Sequence, residues 1–121
     1  NMIITGLVLL AFMILHLYQF RFGPNLQDGY VTTVNNVEMR DLHRLVIETF
    51  HSPLYVSIYV FCMILLGFHL RHGYWSLFQS LGTMVPRLSR SIYLLGTVLA
   101  VILAIGFLLI PVWIYFRQGA V

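Results

Sequence analysis

Three long apolar segments alternate with two polar segments along the chain. The apolar segments cover residues 1–20, 51–70 and 91–116, and none of them contains Asp, Glu, Lys or Arg. About 20 apolar residues cross the hydrocarbon core of a bilayer as a helix, because each residue adds about 1.5 Å of length. The pattern therefore predicts an all-α membrane protein with three transmembrane helices, at about residues 2–20, 52–72 and 91–116.

The first polar segment, residues 21–50, carries its own structural signals. Gly-Pro-Asn at 23–25 predicts the end of the first helix, and Asp-Gly at 28–29 is typical of a turn. Between residues 37 and 50 apolar and charged residues mix with a spacing that predicts a short amphipathic helix on the external surface. Ser52-Pro53 is expected to open the second span, since Ser is a favoured N-cap and Pro a favoured first helical residue.

The charged residues are few and unevenly placed, which predicts the orientation. Residues 21–50 contain three Arg and four acidic residues, whereas residues 71–90 contain three Arg and no acid. Membrane proteins retain positively charged loops on the cytoplasmic side. We therefore expect residues 73–90 to form a cytoplasmic loop and residues 21–50 an external one.

The composition excludes several classes of function. All 7 basic residues are Arg, so the chain has no lysine for a P-loop or for a Schiff base. The basic residues are too sparse for a nucleic-acid-binding surface, so no nucleic-acid partner is expected. The chain contains a single cysteine, Cys62. This excludes an intrachain disulfide, a CxxCH haem attachment and a cysteine-ligated iron–sulfur cluster within this chain.

Two histidines lie inside predicted spans, His16 in the first and His69 in the second. An ionisable side chain inside a membrane is energetically costly and usually faces a partner or a cofactor. Such an imidazole either forms an interhelical hydrogen bond or binds haem iron through a neutral nitrogen. One intramembrane histidine on each of two spans favours haem ligation.

The depths of these histidines predict that they serve different haems. His16 lies roughly 6 Å outward from the centre of its span, and His69 lies roughly 12 Å inward from the centre of its own. The resulting separation of roughly 15–20 Å is too large for two ligands of one iron. If both bind, each belongs to one of two haems near opposite leaflets, and each haem takes its second histidine from outside this chain.

Small and polar residues accompany the two histidines. Gly67 and Gly73 flank His69, and Gly6 precedes His16, where a flat macrocycle could approach the backbone; close helix packing is the alternative reading. A cluster of polar and aromatic residues lies at the inner boundary of the second span. It suits haem propionates, a quinone head group or an interfacial anchor, and its members are Arg71, His72, Trp75 and Gln79.

The stretch from Phe68 to Gly82, FHLRHGYWSLFQSLG, closely resembles a signature of the di-haem cytochrome b membrane anchor of succinate dehydrogenases and fumarate reductases. Ile-Thr-Gly at 4–6 followed by His16 is similar to that family's preceding haem helix, and residues 52–56 resemble the start of its next helix. The resemblance extends over the whole chain and corresponds to the last three of the family's five spans. It implies three transmembrane helices of a larger haem-binding helical bundle, in which the two other spans each supply one axial histidine.

The resemblance also implies the roles of individual residues. His16 would ligate the iron of a distal haem b near the outer face, and His69 that of a proximal haem b near the inner face. The residue pattern itself adds Gly6, Gly73, His72 and Gln79 as further candidates for cofactor binding. Some fumarate-reducing members carry an acidic residue two positions before the second ligand, where this chain has Gly67.

The implied function is an electron-transfer subunit of succinate:quinone oxidoreductase in the bacterial cytoplasmic membrane. Its expected partners are flavoprotein and iron–sulfur subunits, the two remaining anchor helices, membrane lipid and a quinone, and it would not be catalytic alone. The quinone site stays open, with external His43 and His51 as further candidates. Two alternatives are a haem-b subunit of another respiratory complex and a haem-free structural anchor whose histidines only join helices.

Overall fold

The computed structural model describes residues 1–83 and 85–117, and three long helices dominate it. Each of the three is long and apolar enough to cross a membrane, so the predicted all-α membrane architecture with three spans is confirmed. The long helices are α1 (Met2–Phe20), α3 (Pro53–Ser80) and α4 (Pro86–Phe116). Between α1 and α3 lie a short 3₁₀ turn (Leu26–Asp28), strands β1 (Val31–Val34) and β2 (Val37–Arg40), and helix α2 (Leu42–Thr49).

The helices α3 and α4 are longer than the predicted spans. Helix α3 continues beyond residue 72 to Ser80, and α4 begins at Pro86. Most of the predicted loop at 73–90 is therefore helical. Charge marks where a segment leaves the hydrocarbon, but a helix can continue past that point, because Arg and Leu favour helix and Pro is well placed at a first helical position.

The segment between α1 and α3 contains a β-hairpin that the apolar pattern did not predict. Strands β1 and β2 pair antiparallel, with Val34 opposite Val37 next to the turn. Asn35 and Asn36 form that turn with φ values of 51° and 64°, and Asn tolerates this left-handed region better than most residues. The expected amphipathic helix at 37–50 is thus correct only for α2, since its first residues belong to β2.

Hydrogen bonds join Tyr30, before the hairpin, to α2, after it, within the segment between α1 and α3. The Tyr30 hydroxyl and the Arg44 guanidinium both donate to the Glu48 carboxylate, the latter at 2.8 Å. These two bonds hold the pKa of Glu48 below its ordinary value, because they stabilise the ionised form. The Asp-Gly turn predicted at 28–29 is present, with Gly29 at φ 86°.

Helix α3 packs against both α1 and α4 and forms the centre of the bundle. Its buried residues are Tyr59, Cys62 and Met63, whereas the described part of α1 buries none. The exposed apolar surface of the bundle is extensive, with Ile3 75% exposed and Leu7 61% exposed on α1. Such a surface suits hydrocarbon or further helices rather than water.

Candidate functional site

His69 lies on α3 opposite the first turn of α1. Its Nδ1 is 3.0 Å from the Thr5 Oγ1, and the Thr5 hydroxyl donates to the Met2 carbonyl at 3.0 Å. A Cβ atom added at Gly6 would lie 3.5 Å from the His69 Cε1. Gly6 therefore lies beside the imidazole of His69. His16, with which the sequence pattern associated it, lies further along α1.

His16 lies at the other end of the α1–α3 interface. Its Nδ1 is 3.3 Å from the Tyr59 hydroxyl, and that hydroxyl donates to the Gln19 Oε1 at 2.7 Å. Tyr59 is only 5% exposed. Sequence reasoning missed both Tyr59 and Gln19, because only the pairing of the two helices brings residue 59 beside residues 16 and 19.

An apolar groove of about 390 Å³ opens beside His16. All four helices contribute to its lining, and aromatic rings dominate the part around Tyr59. The rings of Phe12 and Phe50 each lie 4.9 Å from the Tyr59 ring at 81°, and the Phe20 ring lies 5.2 Å from the His16 ring. A concave apolar surface with one imidazole in it suits a flat, mostly apolar ligand.

The two imidazoles lie at different depths along antiparallel helices. Thr5 sits beside His69 and Tyr59 sits beside His16. Eleven residues separate Thr5 from His16 on α1, and ten separate Tyr59 from His69 on α3, so the helical rise places the two sites about 15–16 Å apart along the helix axes. One metal ion cannot bridge that distance.

The glycines that flank His69 have different surroundings. A Cβ atom at Gly67 would lie 3.0 Å from the Ala104 Cβ, so this glycine permits close approach of α3 and α4. A larger side chain there, including an acidic one, would meet α4. A Cβ atom at Gly73 would meet no described atom within 4 Å, so no contact with another element requires that glycine.

The structure brings together most of the inner-boundary cluster and adds a residue to it. Arg71, His72 and Trp75 line a groove of about 320 Å³ with Tyr93 from α4. The Arg71 Cζ lies 4.9 Å from the Tyr93 ring centroid, and the Trp75 ring packs edge-on against the same ring at 5.5 Å. Gln79 is exposed two turns beyond His72, and no pattern along the chain indicated Tyr93.

Two histidines lie outside the three long helices. His43 is exposed on α2 and His51 is exposed just before α3. Across residues 1–83 and 85–117, no three His, Cys, Asp or Glu side chains come together as a metal-binding group. Within the α1–α3 interface, one imidazole, that of His69 or of His16, lies at each of the two depths.

Comparison of the chain with protein-family models, curated proteins and solved structures found no match. The candidate site therefore consists of two imidazoles within the long helices, an aromatic groove beside one of them and a groove with Arg71 near the C-terminal part of α3.

Proposed function

We propose that this chain is part of the haem b-containing membrane anchor of a succinate:quinone oxidoreductase. The observation that carries the proposal is the pair of imidazoles on α1 and α3, about 15–16 Å apart in depth. Each would supply one imidazole to the iron of one of two haems. The resemblance of the segment after Phe68 to the family signature supports the choice of this complex over other haem-b complexes.

The residues beside both imidazoles fit a haem. The groove at His16 is apolar and aromatic, as the faces of a macrocycle require. Beside His69, Gly6 does not crowd the imidazole, since even an added Cβ at that position would stand at ordinary contact distance from the Cε1 atom. A bound haem would supply one-electron redox chemistry between the cytoplasmic flavin and iron–sulfur subunits and membrane quinone. This chain would contribute ligation, burial and orientation.

The exposed surface of α1 supports the presence of further helices that would complete the sites at His16 and His69. Helix α1 carries both Thr5 and His16 yet buries no residue in the described structure. Two additional spans, each with one histidine, would cover this face and supply the second axial ligands. The groove with Arg71 and His72 lies at the inner end of α3, where an anionic propionate or a quinone head group would find donors. The proposed location is the bacterial cytoplasmic membrane.

The test is a haem count on the intact complex, purified from its own membranes through a tag on this chain. A pyridine haemochrome assay should give two haems b per copy of the chain. His69→Ala and His16→Ala should each remove about half of the haem absorbance. The two variants should lose different haems, which their spectra distinguish. His43→Ala is the matched control, because it removes an exposed external imidazole and should leave both haems in place.

The outcomes separate the alternatives. Co-purifying flavoprotein and iron–sulfur subunits with succinate:quinone activity support the proposal, whereas subunits of another dehydrogenase would assign the chain to a different haem-b complex. No haem in the unmodified complex would leave a structural anchor whose histidines join helices. Retention of both haems in His69→Ala would overturn the assignment of that ligand.

A further inference from the structure

Each candidate ligand meets a hydroxyl group through Nδ1, and that hydroxyl has a second partner. The Thr5 Oγ1 lies 3.0 Å from the His69 Nδ1 and 3.0 Å from the backbone carbonyl oxygen three residues earlier. The Tyr59 hydroxyl lies 3.3 Å from the His16 Nδ1 and 2.7 Å from the Gln19 Oε1. The same arrangement thus occurs twice, once at each end of the α1–α3 interface.

The number of available protons decides how each arrangement is bonded. A hydroxyl has one proton, and a carbonyl or amide oxygen only accepts. The Thr5 and Tyr59 hydroxyls therefore donate to these oxygens, and each hydroxyl oxygen accepts from the facing imidazole. All four contacts are satisfied only when the proton of each imidazole is on Nδ1. A neutral imidazole of that form has its lone pair on Nε2.

We propose that Thr5 and Tyr59, the latter held by Gln19, are positioning residues that fix both histidines in the Nδ1-protonated form and present Nε2 to haem iron. The inference rests on the proposed function and deepens it by naming the residues that set the ligand form. In the part of the chain that the structure describes, the hydrogen bonds of both imidazoles are made at Nδ1 and not at Nε2. Both Nε2 atoms are therefore left for a ligand.

These hydrogen bonds also affect the electronic properties of the ligand. An acceptor on Nδ1–H increases the basicity of the imidazole and orients its ring. A more basic axial ligand favours ferric over ferrous iron, so the bond lowers the reduction potential of the haem. Loss of the hydroxyl should raise that potential, and it should do so only for the haem ligated by the facing histidine.

The chain offers a matched control for each hydroxyl. The Thr97 hydroxyl donates to the Tyr93 carbonyl at 2.9 Å, as Thr5 does to its own helix, but it faces no histidine. Tyr55 lies one turn before Tyr59 on α3 and lines a separate external groove. Thr97→Val and Tyr55→Phe therefore remove the same chemical groups without touching either proposed ligand.

The experiment is a potentiometric titration of the haems in the intact complex, with the low-spin ferric EPR signal recorded on the same samples. Thr5→Val should shift the ferric–ferrous equilibrium of the His69 haem threefold to tenfold toward the ferrous form, which is about 30–60 mV. Thr5→Ser retains the hydroxyl and should restore the original potential. Tyr59→Phe should shift only the His16 haem, by a similar factor, and the two control variants should shift neither.

The result that would overturn the inference is two bound haems whose potentials and EPR signals are the same in Thr5→Val and Tyr59→Phe as in the controls. A Thr5→Ser variant that behaves like Thr5→Val would also overturn it, since side-chain packing would then be responsible. Loss of only the His69 haem in Thr5→Val, with retention in Thr5→Ser, supports the positioning role. Absence of haem from the unmodified complex would overturn the proposed function itself.

Discussion

The two interfaces of α3 are built in different ways. Against α4, small residues allow close backbone approach: an added Cβ at Gly67 would lie 3.0 Å from the Ala104 Cβ, and one at Gly96 would lie 2.3 Å from the Tyr74 Cδ1. Against α1, the contacts are fewer, and the interhelical hydrogen bonds involve both intramembrane histidines. The α3–α4 interface is a packing interface, and the α1–α3 interface is where the candidate ligands lie.

The physical basis of this difference is the membrane environment. Lipid is as apolar as a leucine side chain, so helices associate through close packing and through polar contacts. Close packing keeps α3 and α4 together, with Gly67 directly against Ala104. Polar contacts between α1 and α3 keep side chains in fixed positions while leaving a groove open beside His16.

A graded series of glycine substitutions tests whether the two interfaces of α3 differ in packing, with Cys62 as the reporter. Cys62 is the 1 cysteine of the chain and is 4% exposed on α3. Its rate of modification by a maleimide in the detergent-solubilised complex, followed on this chain by mass spectrometry, reports local opening around α3. A loss of about 1.4 kcal/mol in the free energy of opening accelerates labelling about tenfold.

The largest effect is expected from Gly96→Ala. The new Cβ would overlap the Tyr74 ring, whose three nearest atoms lie at 2.3–3.0 Å, so the ring must move. Overpacking typically costs about 1–3 kcal/mol, which exceeds the gain of up to about 1 kcal/mol in helix propensity. Cys62 labelling should accelerate about tenfold. In Gly106→Ala on the same helix, the Cβ meets nothing within 4 Å, and labelling should not accelerate; equal rates in the two variants would contradict the packing role of Gly96.

An intermediate effect is expected from Gly67→Ala. Its Cβ would lie 3.0 Å from the Ala104 Cβ, a contact that a small shift of the helices can relieve. Labelling of Cys62 should accelerate about threefold, equivalent to about 0.7 kcal/mol. Gly73→Ala is the control on the same helix, and the pair Gly67→Ala with Ala104→Gly should restore the original rate. If the double variant labels as fast as the single one, the contact with Ala104 is not the cause.

The smallest effect is expected from Gly6→Ala, on the other interface. Its Cβ would lie 3.5 Å from the His69 Cε1, which is an ordinary van der Waals distance. The change in the free energy of opening should stay within about 0.5 kcal/mol, the range of substitutions that disturb no contact. Cys62 labelling should thus change less than about threefold. A tenfold acceleration would show that α1 packs on α3 as tightly as α4 does, and would remove the distinction between the two interfaces.

The segment between α1 and α3 shows where local sequence signals were sufficient and where they were not. The turn at Gly29 and the start of α3 at Ser52-Pro53 follow from the backbone preferences of Gly and Pro, and both are present. The hairpin was missed because its strands are short and mostly exposed, so their alternation is weak. The Asn35-Asn36 turn was the available signal.

The three spans and the two histidines inside them could be predicted from the order of residues alone, because both depend only on hydrophobicity counted along one helix. That order also determined that His16 and His69 lie far apart in depth, since a rise of about 1.5 Å per residue fixes depth without knowledge of partners. Only the tertiary structure placed Tyr59 and Gln19 at His16, and Thr5 and Gly6 at His69. Those contacts depend on the register and rotation of α1 against α3, which are properties of two packed helices and of neither one alone.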